Sequence, residues 1–302
     1  MNKQSDIYIF GEVLFDCFPT GEQILGGAPF NVAWHLQALG DSPQLISRVG
    51  KDQLGDEILQ EMSSWGLSTS EVQIDREHPT GLVEVSITDN EPSYNIVPDS
   101  AFDFISGQEL GTSPTAGILY HGTLCLRNKI SRKTLLEIVR NQKLRIFLDV
   151  NLRSPWWQLD GVCDWLNNAT WVKMNQDELT LLAGNHGTDI CQQMGELLAK
   201  YRLEQLIVTR GEQGALIATA AGEFHSQLPE KAATLVDTVG AGDAFSAVYL
   251  HALRAGWPIE ETLHHAQHFA SRIVGLRGAT NRDSILYQQF IHSFDGYKPT
   301  KI

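Results

Sequence analysis

The chain has 302 residues, 42% hydrophobic and 20% charged, enough for one large packed domain or a domain with a small appendage. Its formal net charge of −13 argues against nucleic acid or an anionic membrane as partner, since both need a basic face, and no apolar run is long enough to span a bilayer. Four scattered cysteines without a CxxC pair argue against a zinc ribbon or disulfide framework, and a start without a signal-peptide pattern makes cytoplasmic residence the expectation.

In chain order, DIYIFGEVLF (6–15) predicts a strand broken at Gly11, and a helical pattern covers 29–39. QLISRVG (44–50) predicts a second strand and 54–65 a second helix. TGLVEVSITDNEPSYNIVP (80–98) has two β-rich runs around the turn DNEP and reads as a hairpin. ILYHG, LRIFLDV, WVKM and QLIVTR then read as short buried strands, with helical patterns over 131–141, 188–202, 243–255 and 259–275. Strand alternating with helix predicts an α/β fold, a mostly parallel central sheet flanked by helices on both faces. Such sheets bind ligands at the carboxyl ends of their strands. The hairpin and GEVLFDCFP (11–19) break the alternation and predict a small separate β-sheet, either an edge addition or a lid.

Two glycine turns carry the chemistry. In DTVGAGDAF (237–245), Gly240, Ala241 and Gly242 run into Asp243, and Phe245, Val248, Tyr249 and Ala252 then recur at helical spacing. Unpaired N–H groups and the positive end of the dipole at such a helix start suit a phosphate. Asp243 has two readings from its position alone: an acid complementing the dipole, or a proton acceptor beside a phosphate site. The stretch is neither a P-loop nor a dinucleotide fingerprint. The second turn, ILGGAPFNVAWHLQALG, places Gly26 and Gly27 before Pro29 and a helix carrying Asn31 in its first turn. Asn31 is either a solvated polar residue or a hydrogen-bond partner for a small polar ligand.

Together GGAPFNVAWHLQALG and DTVGAGDAF resemble the paired signatures of the ribokinase-like, PfkB-type sugar kinases. GEVLFD (11–16), RVGKDQLG (48–55), DVNLR (149–153), NQDE (175–178) and TRGEQGA (209–215) resemble further segments of that family, so the likeness spans nearly the whole chain. Within the family, YHGTLCL and DVNLR look most like fructokinases, although Thr123 replaces a common Ser and Asn95 stands where many relatives carry a basic residue.

The resemblance implies a single ribokinase-like domain over 1–302 and ATP-dependent phosphorylation of a sugar, fructose to fructose 6-phosphate first, with 2-keto-3-deoxygluconate, ribose or a nucleoside as alternatives. It implies Asp243 as base and Gly240, Ala241 and Gly242 as the anion site. Asp16, Gly27, Asn31 and Arg153 would meet the sugar, and Asn175, Thr209, Gly211, Gly214 and Gly242 the nucleotide. Asn175 and Glu178 would organise Mg²⁺ through water, and the loop with Asp237 would hold a monovalent cation, K⁺. It also implies that 11–24 and 80–98 form a lid and that the chain pairs as a homodimer.

Other readings stay bland. NQDE is equally a capping box. His264 and His268, one turn apart, are better explained by a surface helix face than by zinc. Trp156, Trp157, Trp165 and Trp171 fit packing better than sugar stacking. A nicotinamide dehydrogenase would need a glycine fingerprint after the first strand, and a non-catalytic sugar or nucleotide sensor could dispense with Asp243 and its glycines.

Overall fold

The computed structural model describes residues 6–88, 91–140, 143–184, 189–230, 239–275 and 278–293. The chain starts with β1 (Ile7–Phe10), β2 (Leu14–Cys17), β3 (Gln23–Gly26), α1 (Ala28–Ala38), β4 (Gln44–Gly50), α2 (Gln53–Trp65) and β5 (Val72–Asp75). A hairpin of β6 (Gly81–Thr88) and β7 (Glu91–Ile96) follows, then β8 (Gly117–His121), α3 (Lys129–Val139), β9 (Leu144–Asp149), α4 (Leu159–Leu166) and β10 (Trp171–Asn175). The remainder is α5 (Gln176–Ala183), α6 (Ile190–Tyr201), β11 (Gln205–Thr209), β12 (Ala215–Thr219), β13 (Phe224–Gln227), α7 (Ala241–Ala255), α8 (Ile259–Ile273) and α9 (Ser284–His292).

Among the described residues, nine strands form one sheet in the order β13-β12-β11-β10-β9-β8-β1-β4-β5. Pairing is parallel from β11 to β5, and β11-β12 and β12-β13 are antiparallel. The second sheet has the order β3-β2-β6-β7. Neither the β12–β13 hairpin nor α4, α5 and α9 is anticipated by the hydrophobic pattern. These pieces run four to nine residues, too short for a period of 3.6 or 2 to declare itself.

Alternation along the central strands builds two cores. Ile7, Ile9, Tyr120 and Phe147 face α1, α7 and α8 through Phe30, Trp34, Phe245, Tyr249 and Phe269. Tyr8, Phe10, Leu119 and Leu148 face the other way, against Leu135, Trp165, Leu179 and Met194 from α3 to α6. The chain leaves β1 toward β4 on one side and returns to β8 on the other. This reversal opens a crevice at the carboxyl ends of the strands. No helix among the described residues is long and apolar enough to cross a membrane.

Local chemistry fixes the entry to α2. Asp52 Oδ1 accepts from Gly55 N at 2.8 Å and Oδ2 from Thr80 N at 2.8 Å, so one N-cap side chain also ties the helix to the start of β6.

Phe147 is fully buried between the rings of Tyr120, at 5.8 Å, and Tyr249, at 5.9 Å. Phe147→Ala should cost about 3–5 kcal/mol in denaturant unfolding. A cost under about 1 kcal/mol would contradict its place as the wedge between sheet and α7.

Candidate active site

A cavity of about 390 Å³ opens at the carboxyl ends of the central strands. Glu12 enters it just past β1, and Leu14 and Asp16 from β2. Gly27, Ala28 and Asn31 supply the wall at the start of α1. Asp149, Asn151 and Arg153 enter from the end of β9, Lys173 and Asn175 from β10, Glu178 from α5 and Thr209 from the end of β11. Val239, Gly240, Gly242 and Asp243 close it at the start of α7.

Two helix starts face each other across this space. Gly27 caps α1 with φ 104°, and a Cβ there would lie 2.8 Å from the Glu12 carbonyl oxygen. Gly240 caps α7 with φ 82°, and a Cβ there would lie 2.4 Å from Ala279 Cβ. Both positions therefore need glycine on conformational and steric grounds. Asn31 Nδ2 donates to Asp243 Oδ2 at 2.8 Å, joining the two first turns. Withdrawal from water, the largest influence, pushes the Asp243 carboxyl up to about 6. The Asn31 hydrogen bond opposes the rise, nearby Asp149 adds to it, and Lys173 and Arg153 oppose it.

Beneath α7 lies a buried ion pair. Lys173 Nζ donates to Asp149 Oδ2 at 2.7 Å, and the residues are 5% and 3% exposed. Ser246 Oγ and Tyr120 OH also donate to Asp149 Oδ2, at 2.9 and 3.3 Å. A Cβ on Gly242 would come within 3.4 Å of Lys173 Nζ. The ammonium thus lies against the amide end of the helix while paired with the Asp149 carboxylate.

At the other wall, Asn175 and Glu178 form the capping box of α5. Glu178 Oε2 accepts from Asn175 N at 2.8 Å and its Oε1 from Leu152 N at 2.7 Å. The cap and the cavity wall are the same residues.

Of the residues singled out from sequence, Asp16, Gly27, Asn31, Arg153, Asn175, Glu178, Thr209, Gly240, Gly242 and Asp243 meet in this one cavity. Ala241 is the first residue of α7 and is not in the lining. Gly211 and Gly214 sit in the turn between β11 and β12, also outside it. Asp237 lies outside the described residues. Glu12, Asn151 and Lys173 were not anticipated. Lys173 did leave a trace, a lone cation inside the apolar run WVKM. Elsewhere, the His264 and His268 ring centroids are 6.3 Å apart and His268 Nε2 is 3.6 Å from Glu230. No group of three or more His, Cys, Asp or Glu side chains among the described residues is arranged to hold a metal ion.

With this geometry in place, comparison with known proteins is informative. Residues 10–285 match the model of the pfkB family of carbohydrate kinases. A fructokinase of Salmonella typhimurium is 30% identical over 296 residues, covering 90% of this chain and 94% of that protein. An aminoimidazole riboside kinase of Salmonella typhimurium LT2 is 29% identical over 265 residues, covering 81% and 80%. The crystal structure of a fructokinase double mutant from Vibrio cholerae O395, with fructose, ADP and potassium ion bound, superposes with a TM-score of 0.80. It is 24% identical, and the match covers 95% of this chain and 99% of that one, which shows a shared fold.

The raised Asp243 carboxyl predicts a pH signature in the unliganded protein. Folded, it holds its proton up to about 6; unfolded, only to the ordinary 3.8. The folded state binds more protons across that window, so ionisation of this group removes stability as pH rises, fully above about 6. Asp243→Asn should melt higher than the parent at about pH 7.5, with the gap narrowing toward about pH 4. A variant that melts no higher at about pH 7.5 would mean that this carboxylate is not withdrawn from water.

Proposed function

Because the chain belongs to the pfkB family of carbohydrate kinases, we propose that this cavity transfers the γ-phosphoryl group of ATP to a sugar hydroxyl, with fructose, giving fructose 6-phosphate, as the leading substrate. The observation that carries the reading is the Asp243 carboxylate, fixed by Asn31 at the amide end of α7 and opening on the cavity. A base placed there takes the proton of the attacking hydroxyl. The amides of Gly240, Ala241 and Gly242, with the dipole and the Lys173 ammonium behind them, stabilise the charge on the transferring group. Phosphoryl transfer depends on such positioning and electrostatics more than on covalent chemistry.

In this reading Asp16, Gly27, Asn31 and Arg153 hold the sugar. Asn175 and Thr209 face the nucleotide, and the Gly211–Gly214 turn flanks it. Asn31 gives one amide hydrogen to Asp243, which leaves its second N–H and its oxygen for the sugar. Mg²⁺ takes oxygen ligands and keeps much of its water. Glu178 and Asn175 fit that demand: oxygen donors at the cavity wall, with both Glu178 oxygens already anchored by backbone N–H groups. They would hold the ion through water, and the ion would neutralise phosphate charge. The potassium-bound Vibrio cholerae fructokinase supports a K⁺ requirement, which Asp237 would serve. The small sheet acts as a lid that excludes water, and two copies pair through it.

The fructokinase relative at 30% identity favours fructose, and the aminoimidazole riboside kinase at 29% favours a riboside as the second substrate class. A coupled ATP-consumption screen over fructose, ribose, 2-keto-3-deoxygluconate, mannose and nucleosides separates them. Activity on ribosides without activity on fructose would overturn the leading assignment. Asp243→Asn should lower kcat by about 10²–10⁴-fold while ATP and sugar still bind. The parent's kcat/KM should fall on the acid side of about 6, where Asp243 becomes protonated. A variant within about threefold of the parent rejects the base assignment.

A further inference from the structure

Glu12 is not accounted for by any role above. It lines the cavity, is 3% exposed, and its Oε2 finds no hydrogen-bond partner among the described residues. Asn31 Oδ1, in the same wall and 4% exposed, is also without a partner. Buried polar atoms are almost always paired, and an unpaired one calls for a ligand or a function. The two residues flank one turn. Gly27 packs against the Glu12 carbonyl, and Asn31 N donates to Gly27 O at 2.8 Å. Burial, the largest influence, pushes the Glu12 carboxyl up to about 7, with Arg153 opposing the rise and Asp243 adding to it. Alternation along β2 turns Leu14 and Asp16 to one side, and Glu12, in the segment before β2, lines the same cavity.

Asn31 Oδ1 is an acceptor, and Glu12 Oε2 is one whenever its carboxyl is ionised. An apolar group would leave them unpaired, and a phosphate would meet a carboxylate of its own sign. A hydroxyl satisfies them. Resting on the kinase reading above, we propose that Glu12 is a substrate-contacting, specificity-determining residue: with Asn31 Oδ1 it accepts hydrogen bonds from sugar hydroxyls other than the one phosphorylated. The site thereby selects polyols over deoxy sugars, because a missing hydroxyl strands a buried acceptor.

The test compares the parent with Glu12→Gln on the preferred sugar and on analogues in which hydrogen replaces one hydroxyl at a time. The parent should discriminate against at least one analogue by about 10–100-fold in kcat/KM. Glu12→Gln should raise the sugar KM by about tenfold or more, leave the ATP KM unchanged and reduce that discrimination to within about threefold. A purely structural Glu12 would instead lower the melting temperature and leave the ranking of analogues as in the parent. That ranking, retained in an active Glu12→Gln, overturns the proposal and leaves the kinase reading standing. A parent that phosphorylates no sugar overturns both.

Discussion

Carboxylates outnumber cations in this cavity, and the site is organised around that constraint. Glu12, Asp16, Asp149, Glu178 and Asp243 share one enclosed space with Arg153 and Lys173. Left unpaired, such charges would raise one another's proton affinity and repel any phosphate. The fold ties them down differently. Asp149 takes the Lys173 ammonium and two hydroxyls. Glu178 has one backbone N–H on each oxygen. Asp243 receives a single amide hydrogen from Asn31. A carboxylate bonded by a cation is inert as a base, whereas one held by a neutral amide stays oriented and able to take a proton. In the proposed reading, the partner, more than the acid itself, separates the structural carboxylate Asp149 from the base Asp243.

The sheet topology makes this pairing affordable. Chain reversal between β1 and β8 brings residues far apart in sequence to one edge, and Asn31 and Asp243 are 212 positions apart. Neither helix cap has room for a side chain, Gly27 lying against Glu12 and Gly240 against Ala279. Lys173 then reaches from β10 to the foot of α7 across the core, where its stem is buried with the strand. The proposed anion site is therefore assembled by tertiary packing around a helix end that is already positive on its own.

What could be read from the sequence follows from where each signal resides. The glycine turns, the Asp243 helix start and the Asn175–Glu178 cap are local, so spacing alone exposed them. The β6–β7 hairpin announced itself through a turn between β-rich runs. Lys173 and Glu12 were not legible in that way, because each has meaning only through atoms brought from other strands. Asn31 was legible as a polar residue near a ligand, but its partner Asp243 could come only from the fold. The α5 helix was visible only as its cap, since its eight residues cover barely two turns.

The small sheet adds a last coupling. Leu14, Val83 and Ile96 are buried along its inner face and line the cavity, and Val83 pairs directly with Ile96. Tyr94, two residues before Ile96 and 51% exposed, stands at the rim. Asp16 belongs to the same sheet through β2, which pairs with β6 from Leu14↔Gly81 to Cys17↔Glu84. An apolar roof and the acid proposed to meet the sugar are thus carried on one hydrogen-bonded unit. In the proposed lid role, movement of that unit toward α7 would bring Asp16 inward as it removes water, coupling capture of a polyol to drying of the proposed phosphoryl-transfer site.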